Sequence, residues 1–118
     1  MIYVDGFLLA VPKRKLRAYK ALAKKACAIW MDHGALEYHE CVGEDLEVKM
    51  CKPFTKAVKL KRGETVVFSW ISYRSRKDRD RVNAAVMKDK RMQPLMKGPM
   101  PFDVKRMHYG GFESMVDG

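Results

Sequence analysis

Two segments of this chain, residues 2–11 and residues 65–73, have the composition of β-strands and are apolar on both faces. The alternation in the second segment sets Val67 and Ile71 on one face and Val66, Phe68 and Trp70 on the other. A strand that is apolar on both sides must be covered on both sides. The chain therefore needs a sheet with a packed layer against each of its faces.

Two further segments have the periodicity of amphipathic helices. Residues 13–31 place apolar side chains at three- and four-residue steps, and Gly34 is a suitable terminator. Ser75, with Asp78 three residues later, resembles a capping box, so a second helix is predicted from there to about residue 91. The predicted core stripes are Leu16, Tyr19, Ala23, Ala26, Cys27 and Trp30 in the first helix, and Val82, Ala85 and Val86 in the second.

The remaining segments complete a repeated strand–helix–strand order. Residues 35–42 are predicted as a polar edge strand, and residues 106–116, with adjacent glycines, as the last strand. Residues 43–63 are predicted to be a long connection with one short element at 48–51, and residues 92–103, with three prolines, a loop. This order is typical of the α+β ferredoxin-like fold (βαββαβ), which has a four-stranded antiparallel sheet and both helices on one face.

The length of the chain limits how the two-sided strands are covered. Its 118 residues fit one ferredoxin-like domain, residues 1–118, whose two helices cover only one face of the sheet. A second copy is the simplest cover for the other face, because a two-fold axis brings identical apolar surfaces together. We therefore expect a homodimer in which sheet packs on sheet.

Several short stretches resemble a known family. They are Tyr3-Val4-Asp5-Gly6-Phe7, Gly34-Ala35-Leu36, Glu64-Thr65-Val66-Val67-Phe68-Ser69-Trp70-Ile71, Met100-Pro101-Phe102-Asp103 and Tyr109-Gly110-Gly111-Phe112. With these stretches the chain resembles the YbaA-like bacterial family of the dimeric α/β-barrel superfamily. The resemblance implies the dimeric barrel, and implies no activity, since the family has no established catalytic residues. In related barrels the space between sheet and helices holds a small ligand or a haem-like cofactor, and some members are monooxygenases.

The charge of the chain is large and unevenly distributed. The net charge is +10, and residues 13–25 carry seven cations and no acid. Lys13, Arg17, Lys20 and Lys24 form one stripe on the predicted first helix, which is a candidate surface for RNA or another polyanion. Because the stripe lacks interleaved aromatics and the chain has no RNA-binding signature, we favour a solvated helix face.

Other patterns restrict the compartment and the reaction class. No apolar run approaches the roughly 18 residues of a membrane span, and the N-terminus does not resemble a signal peptide. Three cysteines, an odd number without CxxC spacing, suggest reduced thiols and a cytoplasmic protein. The sequence contains no P-loop, dinucleotide-binding, nucleophile-elbow or zinc-protease motif.

Asp5 is the most unusual residue of the predicted sheet, because a carboxylate in a central strand is costly unless it is paired. Lys105 or Arg106 on the antiparallel last strand is the expected partner. A structural ion pair, or a carboxylate that faces solvent at the end of the strand, is the simpler interpretation. In a functional one, Asp5 is a base or an anchor and Arg106 holds an anionic group of a ligand.

Aromatic residues are candidates for the wall of a pocket between sheet and helices. Trp70, Tyr3 and Tyr109 occupy strand positions, and one of the neighbours His108 and Tyr109 must face the helices. Filling of the core is the alternative role for such side chains. Three methionines of the Pro-rich loop, Met92, Met96 and Met100, either plug a gap at the end of the second helix, which we favour, or form a flexible lid.

Residues 33–41 contain side chains that can bind a metal, but their spacing does not favour a metal site. The histidines, acids and thiol there match no established zinc spacing, so we expect a polar edge strand and no metal. The residues concerned are His33, Glu37, His39, Glu40 and Cys41.

The sequence thus favours a dimer that binds a small molecule between sheet and helices, with oxygenase- or isomerase-like chemistry as one form of that function. RNA or polyanion binding through the basic stripe and a structural or regulatory dimer without ligand are the alternatives. Neither the catalytic residues nor a cofactor can be named from the sequence.

Overall fold

The two segments that are apolar on both faces form the central strands of the sheet. The computed structural model describes residues 1–118 and contains four antiparallel strands, β1 (Tyr3–Pro12), β2 (Glu37–Val42), β3 (Glu64–Tyr73) and β4 (His108–Glu113). Their order in the sheet is β2-β3-β1-β4. This is the predicted α+β ferredoxin-like topology, and the polar segment β2 is an edge strand, as predicted.

Both long helices lie on one face of this sheet. They are α1 (Leu16–Asp32), preceded by a 3-10 turn at Lys13–Lys15, and α3 (Arg76–Lys88). The predicted cap of the second helix is present, because the Asp78 amide donates to the Ser75 hydroxyl over 3.1 Å. The Asp78 carboxylate does not reach back toward the cap; it accepts from the Arg81 guanidinium instead.

Strand register confirms which side chains share a face. Leu9 of β1 lies opposite Val67, and Asp5 lies opposite Ile71, all on the helix face. Two clusters fill this layer. One consists of Ile29, Ala35, Ile71, Tyr73, Val82 and Val86, and the other of Leu9, Val11, Tyr19, Ala23 and Val67.

The opposite face of the sheet, which we call the open face, is covered only at one end. There Ala10 and Val66 pack with the fully buried Val58 from the connection between β2 and β3. At the other end Phe68 remains 44 % exposed and Phe112 62 % exposed. The two-sided apolar character of the central strands therefore leaves a surface that this chain alone does not shield.

The connections differ from the prediction in two places. The short element lies not at 48–51 but at α2 (Phe54–Ala57), which begins directly after Pro53. The Pro-rich loop contains α4 (Met92–Met96), a short helix that accommodates Pro94 because the first turn of a helix needs no amide donors. A 3-10 turn at Val104–Arg106 then leads into β4. None of the helices combines the length and hydropathy needed to cross a membrane.

Gly111 of β4 is required by the close approach of Tyr3. A Cβ at Gly111 would overlap the Tyr3 hydroxyl, and a shift of the Tyr3 ring would disturb its contact with the Arg79 guanidinium, which lies over the ring 4.9 Å from its centre. We expect Gly111→Ala to lower the free energy of unfolding by about 1–3 kcal/mol, the usual cost of overpacking. Urea unfolding followed by circular dichroism measures the change.

The neighbouring glycine provides a matched control. A Cβ at Gly110 would meet the Phe112 ring at 3.5 Å, which is an ordinary van der Waals contact. Gly110→Ala should therefore change the free energy of unfolding by less than about 0.5 kcal/mol. Equal losses in the two variants would show that the Tyr3 contact is not the reason for the glycine at position 111.

Candidate functional site

A partly open cavity of about 180 Å³ lies between the helix face of the sheet and the helices. Seventeen residues line it, and fifteen of them are hydrophobic. Phe7, Leu9 and Ile71 form the floor, and Trp30 of α1 and Leu95 of α4 belong to the walls. The cavity is thus an apolar space in the layer that the prediction assigned to a ligand.

Small and flexible side chains leave this space open. Alanines at positions 23 and 26 of α1 face the sheet where larger residues would fill the layer. Four methionines, at 92, 96, 100 and 107, form much of the opposite wall. Met92 packs against the core cluster, as the gap-filling interpretation predicts, whereas Met96 is 55 % exposed and lines the cavity. Unbranched thioethers adapt their shape readily, so this wall can adjust to an occupant.

The polar side chains of the cavity wall are Ser69 and Glu40, and Glu40 is held by two phenols. Its Oε1 accepts from the Tyr19 hydroxyl over 2.7 Å, and its Oε2 accepts from the Tyr38 hydroxyl over 2.8 Å. Burial, followed by the charge of Glu40 and the hydrogen bond to it, raises the pKa of both phenols well above the usual range. Both phenols therefore stay protonated and fix the carboxylate at the cavity wall.

The sequence did not reveal this carboxylate. Helical periodicity predicts Tyr19 in the core stripe, and the polar composition of residues 35–42 predicts Glu40 in an edge strand with a polar face. The alternation of side chains along a strand could have indicated it. Tyr38 and Glu40 are two residues apart on β2 and share the helix face, while His39 and Cys41 point to the open face. The hydrogen-bond partner of Glu40 across the layer, Tyr19 of α1, is visible only in the fold.

Asp5 is paired, but not with the residues expected. Asp5 is 1 % exposed, and its Oδ1 accepts from Arg79 Nη1 over 3.0 Å, so the prediction of Lys105 or Arg106 as its partner is wrong. The same guanidinium donates to the hydroxyl of Tyr109 over 2.8 Å and to that of Tyr3 over 3.3 Å. Tyr3, Asp5 and Tyr109 are therefore brought together, around an arginine from α3.

Arg106 is occupied elsewhere. The structure begins β4 at His108, so Arg106 lies in the preceding turn and is not opposite Asp5. Its guanidinium donates to Glu64 over 2.8 Å and to Asp103 over 2.8 Å, and also to two carbonyl groups of the β2–β3 connection. Because it is fully engaged with carboxylates, it is not placed to hold an anionic group of a ligand in the cavity.

Trp70 and His108 lie on the open face, so the structure does not place them in the cavity. Trp70 pairs with Gly6 and stacks on His39 with ring centres 4.6 Å apart, and His108 lies opposite Leu8. They line a shallow groove of about 570 Å³ on that face. The pairing explains this outcome, because Tyr109 takes the helix-face position and packs on Phe7 at 4.9 Å.

The predicted basic stripe is exposed as expected. Lys13, Arg17, Lys20 and Lys24 are all exposed, and none of them takes part in a salt bridge. Three of these cations line a groove of about 640 Å³ between α1 and β2. This groove shares Tyr19, Ala23, Tyr38 and Glu40 with the apolar cavity.

The cysteine and histidine side chains form no cluster. The cysteines are free; Cys27 is half-buried, while Cys41 and Cys51 are exposed. His33 contacts Asp89 over 2.8 Å, at a distance in the fold from His39 and Cys41 on the open face. No group of three or more histidine, cysteine or acidic side chains is arranged to hold a metal ion.

Solved structures with the same fold are diverse in sequence. A putative antibiotic biosynthesis monooxygenase from Nitrosomonas europaea matches with a TM-score of 0.64 at 14% identity, covering 97% of this chain and 90% of that one. SnoaB, a cofactor-independent oxygenase from Streptomyces nogalater, crystallised as a mutant, matches with a TM-score of 0.60 at 10% identity over 98% and 95%. An uncharacterized NIPSNAP-like domain protein from Burkholderia xenovorans reaches 0.59 at 15% identity over 99% and 88%. At these identities the likeness establishes the fold alone.

Sequence relatives are much closer. "Uncharacterized protein YbaA" of Escherichia coli strain K12 is 47% identical over 117 residues, which is 99% of both chains. The family described as "Protein of unknown function (DUF1428)" matches residues 2–104. The resemblance predicted from the sequence is thereby confirmed, and the chain belongs to the DUF1428 family, together with the YbaA proteins.

Proposed function

We propose that the protein binds a small, mainly apolar molecule in the cavity between its sheet and its helices. The observation that carries this proposal is the lining of that cavity, which is apolar except for Ser69 and the oriented carboxylate of Glu40. Ligand sites are typically apolar clefts with a few convergent polar groups. Tyr109, Asp5 and Tyr3 support the sheet beside the cavity and do not serve as its reactive groups.

The size of the cavity restricts the ligand. An engineered apolar cavity of about 150 Å³ in another protein binds benzene. The 180 Å³ found here suits the body of a compound with one or two fused rings, and the opening and the methionine wall allow some excess length. Each oxygen of Glu40 accepts one hydrogen bond from a phenol and can accept a second. A hydroxyl or amine on the ligand would therefore donate to Glu40.

A carboxylate at the edge of an apolar cavity is also a suitable general base. In the enzymatic form of this proposal, an O–H or activated C–H bond of the ligand breaks, the proton moves to Glu40, and the electron pair stays on the ligand as a delocalised anion. This deprotonation is a common first step for an isomerisation and for an oxygenation in which the anion then reduces dioxygen. Two structural neighbours are described as a putative monooxygenase and a cofactor-independent oxygenase, which is consistent with the second reaction.

Filling the cavity tests the proposal. Ala26 is buried and lines the cavity, whereas Ala28 is exposed on the same helix. We expect Ala26→Phe to raise the dissociation constant of 2-naphthol, measured by fluorescence titration, by about tenfold or more, because its ring occupies the space of the ligand. Thermal melting checks that the variant remains folded.

Ala28→Phe is the matched control, since it adds the same ring to the solvent side of α1. Its dissociation constant for 2-naphthol should stay within about twofold of that of the original protein. Unchanged binding by Ala26→Phe, or no binding of 2-naphthol to the original protein, would contradict the proposed site.

The proposal has a second part, a homodimer whose interface covers the open face of the sheet. The apolar side chains left exposed there, Phe54, Phe68 and Phe112 among them, form a continuous surface with Trp70 and Leu8. Exposed apolar patches of this kind mark interaction sites, and a two-fold axis makes such a patch its own complement. The YbaA-like resemblance carries the same expectation.

A further inference from the structure

The groove between α1 and β2 combines an apolar floor with unpaired positive charge. Its floor and walls include Leu16, Val42 and Val67, and its rim carries three cations. These are Arg17, Lys20 and Lys24, none of which has an acidic partner in a salt bridge. By contrast, Arg79, Arg81, Arg91 and Arg106 are all paired with carboxylates.

The groove adjoins the apolar cavity. The two spaces share side chains at their boundary, including Ala23 and the three residues of the hydrogen-bonded set Tyr19, Glu40 and Tyr38. The exit from the cavity toward the cations on this side of α1 therefore leads past Glu40. The charges at that exit are three positive and one negative, and the negative one is already held by two phenols.

This arrangement has a preferred ligand chemistry. Apolar surface favours the hydrophobic body of a molecule, and lysine and arginine side chains without partners favour an anionic head. A neutral ligand would leave the cations unused, and a purely ionic ligand would leave the cavity empty. A nucleic acid would engage the exposed side of the stripe without needing the cavity at all.

We infer that the ligand is an amphipathic organic anion, with its apolar body in the cavity between sheet and helices and its acidic head at Arg17, Lys20 and Lys24. This inference rests on the proposed function, and it adds the charge of the ligand and the place of its head group. The basic stripe of α1 then has a role in ligand selection and in attracting the anion toward the entrance.

Two probes with the same body test the inference. 2-Naphthoxyacetate carries a carboxylate two atoms from the naphthalene ring, and 2-(2-naphthoxy)ethanol carries a neutral hydroxyl in the same place. We expect the anion to bind more tightly than the alcohol by about three- to tenfold at low salt, and this difference to shrink as ionic strength rises. Fluorescence titration of both probes against the original protein measures the ratio.

Variants of the same net charge locate the effect. Lys20→Gln combined with Lys24→Gln should remove most of the preference for the anion and leave binding of the alcohol within about twofold. Lys77→Gln combined with Lys88→Gln changes two exposed lysines of α3, which line none of the three spaces described, and should keep the preference.

The outcomes separate the two proposals. Equal affinities for the two probes, or equal losses in both double variants, would overturn the anionic head while leaving the cavity as a site for neutral ligands. If a probe bound on the open face, replacing Lys20 and Lys24 would not change its affinity more than replacing Lys77 and Lys88 would. That result would also overturn the anionic head. Failure of both probes and of 2-naphthol to bind would overturn the proposed function itself.

Discussion

Replacing Asp5 with alanine should lower the free energy of unfolding by about 3–5 kcal/mol, the cost of removing one partner of a buried ion pair. The side chain of Asp5 is 2 % exposed and that of Arg79 is 13 % exposed, so the variant leaves a mostly buried guanidinium with only the exposed Asp80 as a counter-charge. Tyr3 and Tyr109 also depend on this arginine, because it donates to both hydroxyls. Urea unfolding monitored by circular dichroism gives the loss.

Asp80 offers a control on the same guanidinium. Its Oδ1 lies 2.9 Å from Arg79 Nε, but the N–H of that nitrogen is not directed at any acceptor, so the pair is an ionic contact without a hydrogen bond. Since Asp80 is 61 % exposed, Asp80→Ala should cost at most about 1 kcal/mol. Similar losses for the two variants would mean that burial of Asp5 does not set the strength of its pair.

The second large effect concerns association. If the open face pairs two copies, the original protein should sediment at twice its mass of 13.6 kDa at micromolar concentration. Phe112→Lys places an ammonium group on that face and should raise the dissociation constant of the dimer by at least about thirtyfold, the effect of losing an interface hot spot. Sedimentation velocity over a dilution series measures both values.

Met87 provides the comparison for this variant. It is 51 % exposed on α3, on the other side of the sheet, so Met87→Lys adds the same charge away from the open face and should leave the dimer intact. A lone subunit of the original protein at micromolar concentration would contradict the proposed interface. The exposed phenylalanines would then need another partner.

The sequence predicted the fold because local patterns agreed with one another. The alternation in residues 2–11 and 65–73, the helical period after each of them and the Ser75 cap all point to one topology, and each is a property of neighbouring residues. The predicted faces of the central strands, the edge position of β2 and the exposed basic stripe depend on the same short periods. The family followed from short motifs spread over most of the chain.

Only the tertiary structure decided which side chains meet. Asp5 and Arg79 are separated by 74 positions, and Tyr19 and Glu40 by 21, so no periodicity relates them. The wrong assignment of Arg106 is explained by strand register, because Gly111 lies opposite Asp5, and an extension of β4 back to position 106 would bring Arg106 only to Ala10. Hydrophobic patterning indicates which face of an element packs into the core, because the hydrophobic effect is non-directional and roughly proportional to the apolar area removed from water. The choice of partner for a buried charge depends on distances of about 3 Å, which only packing of the elements against each other defines.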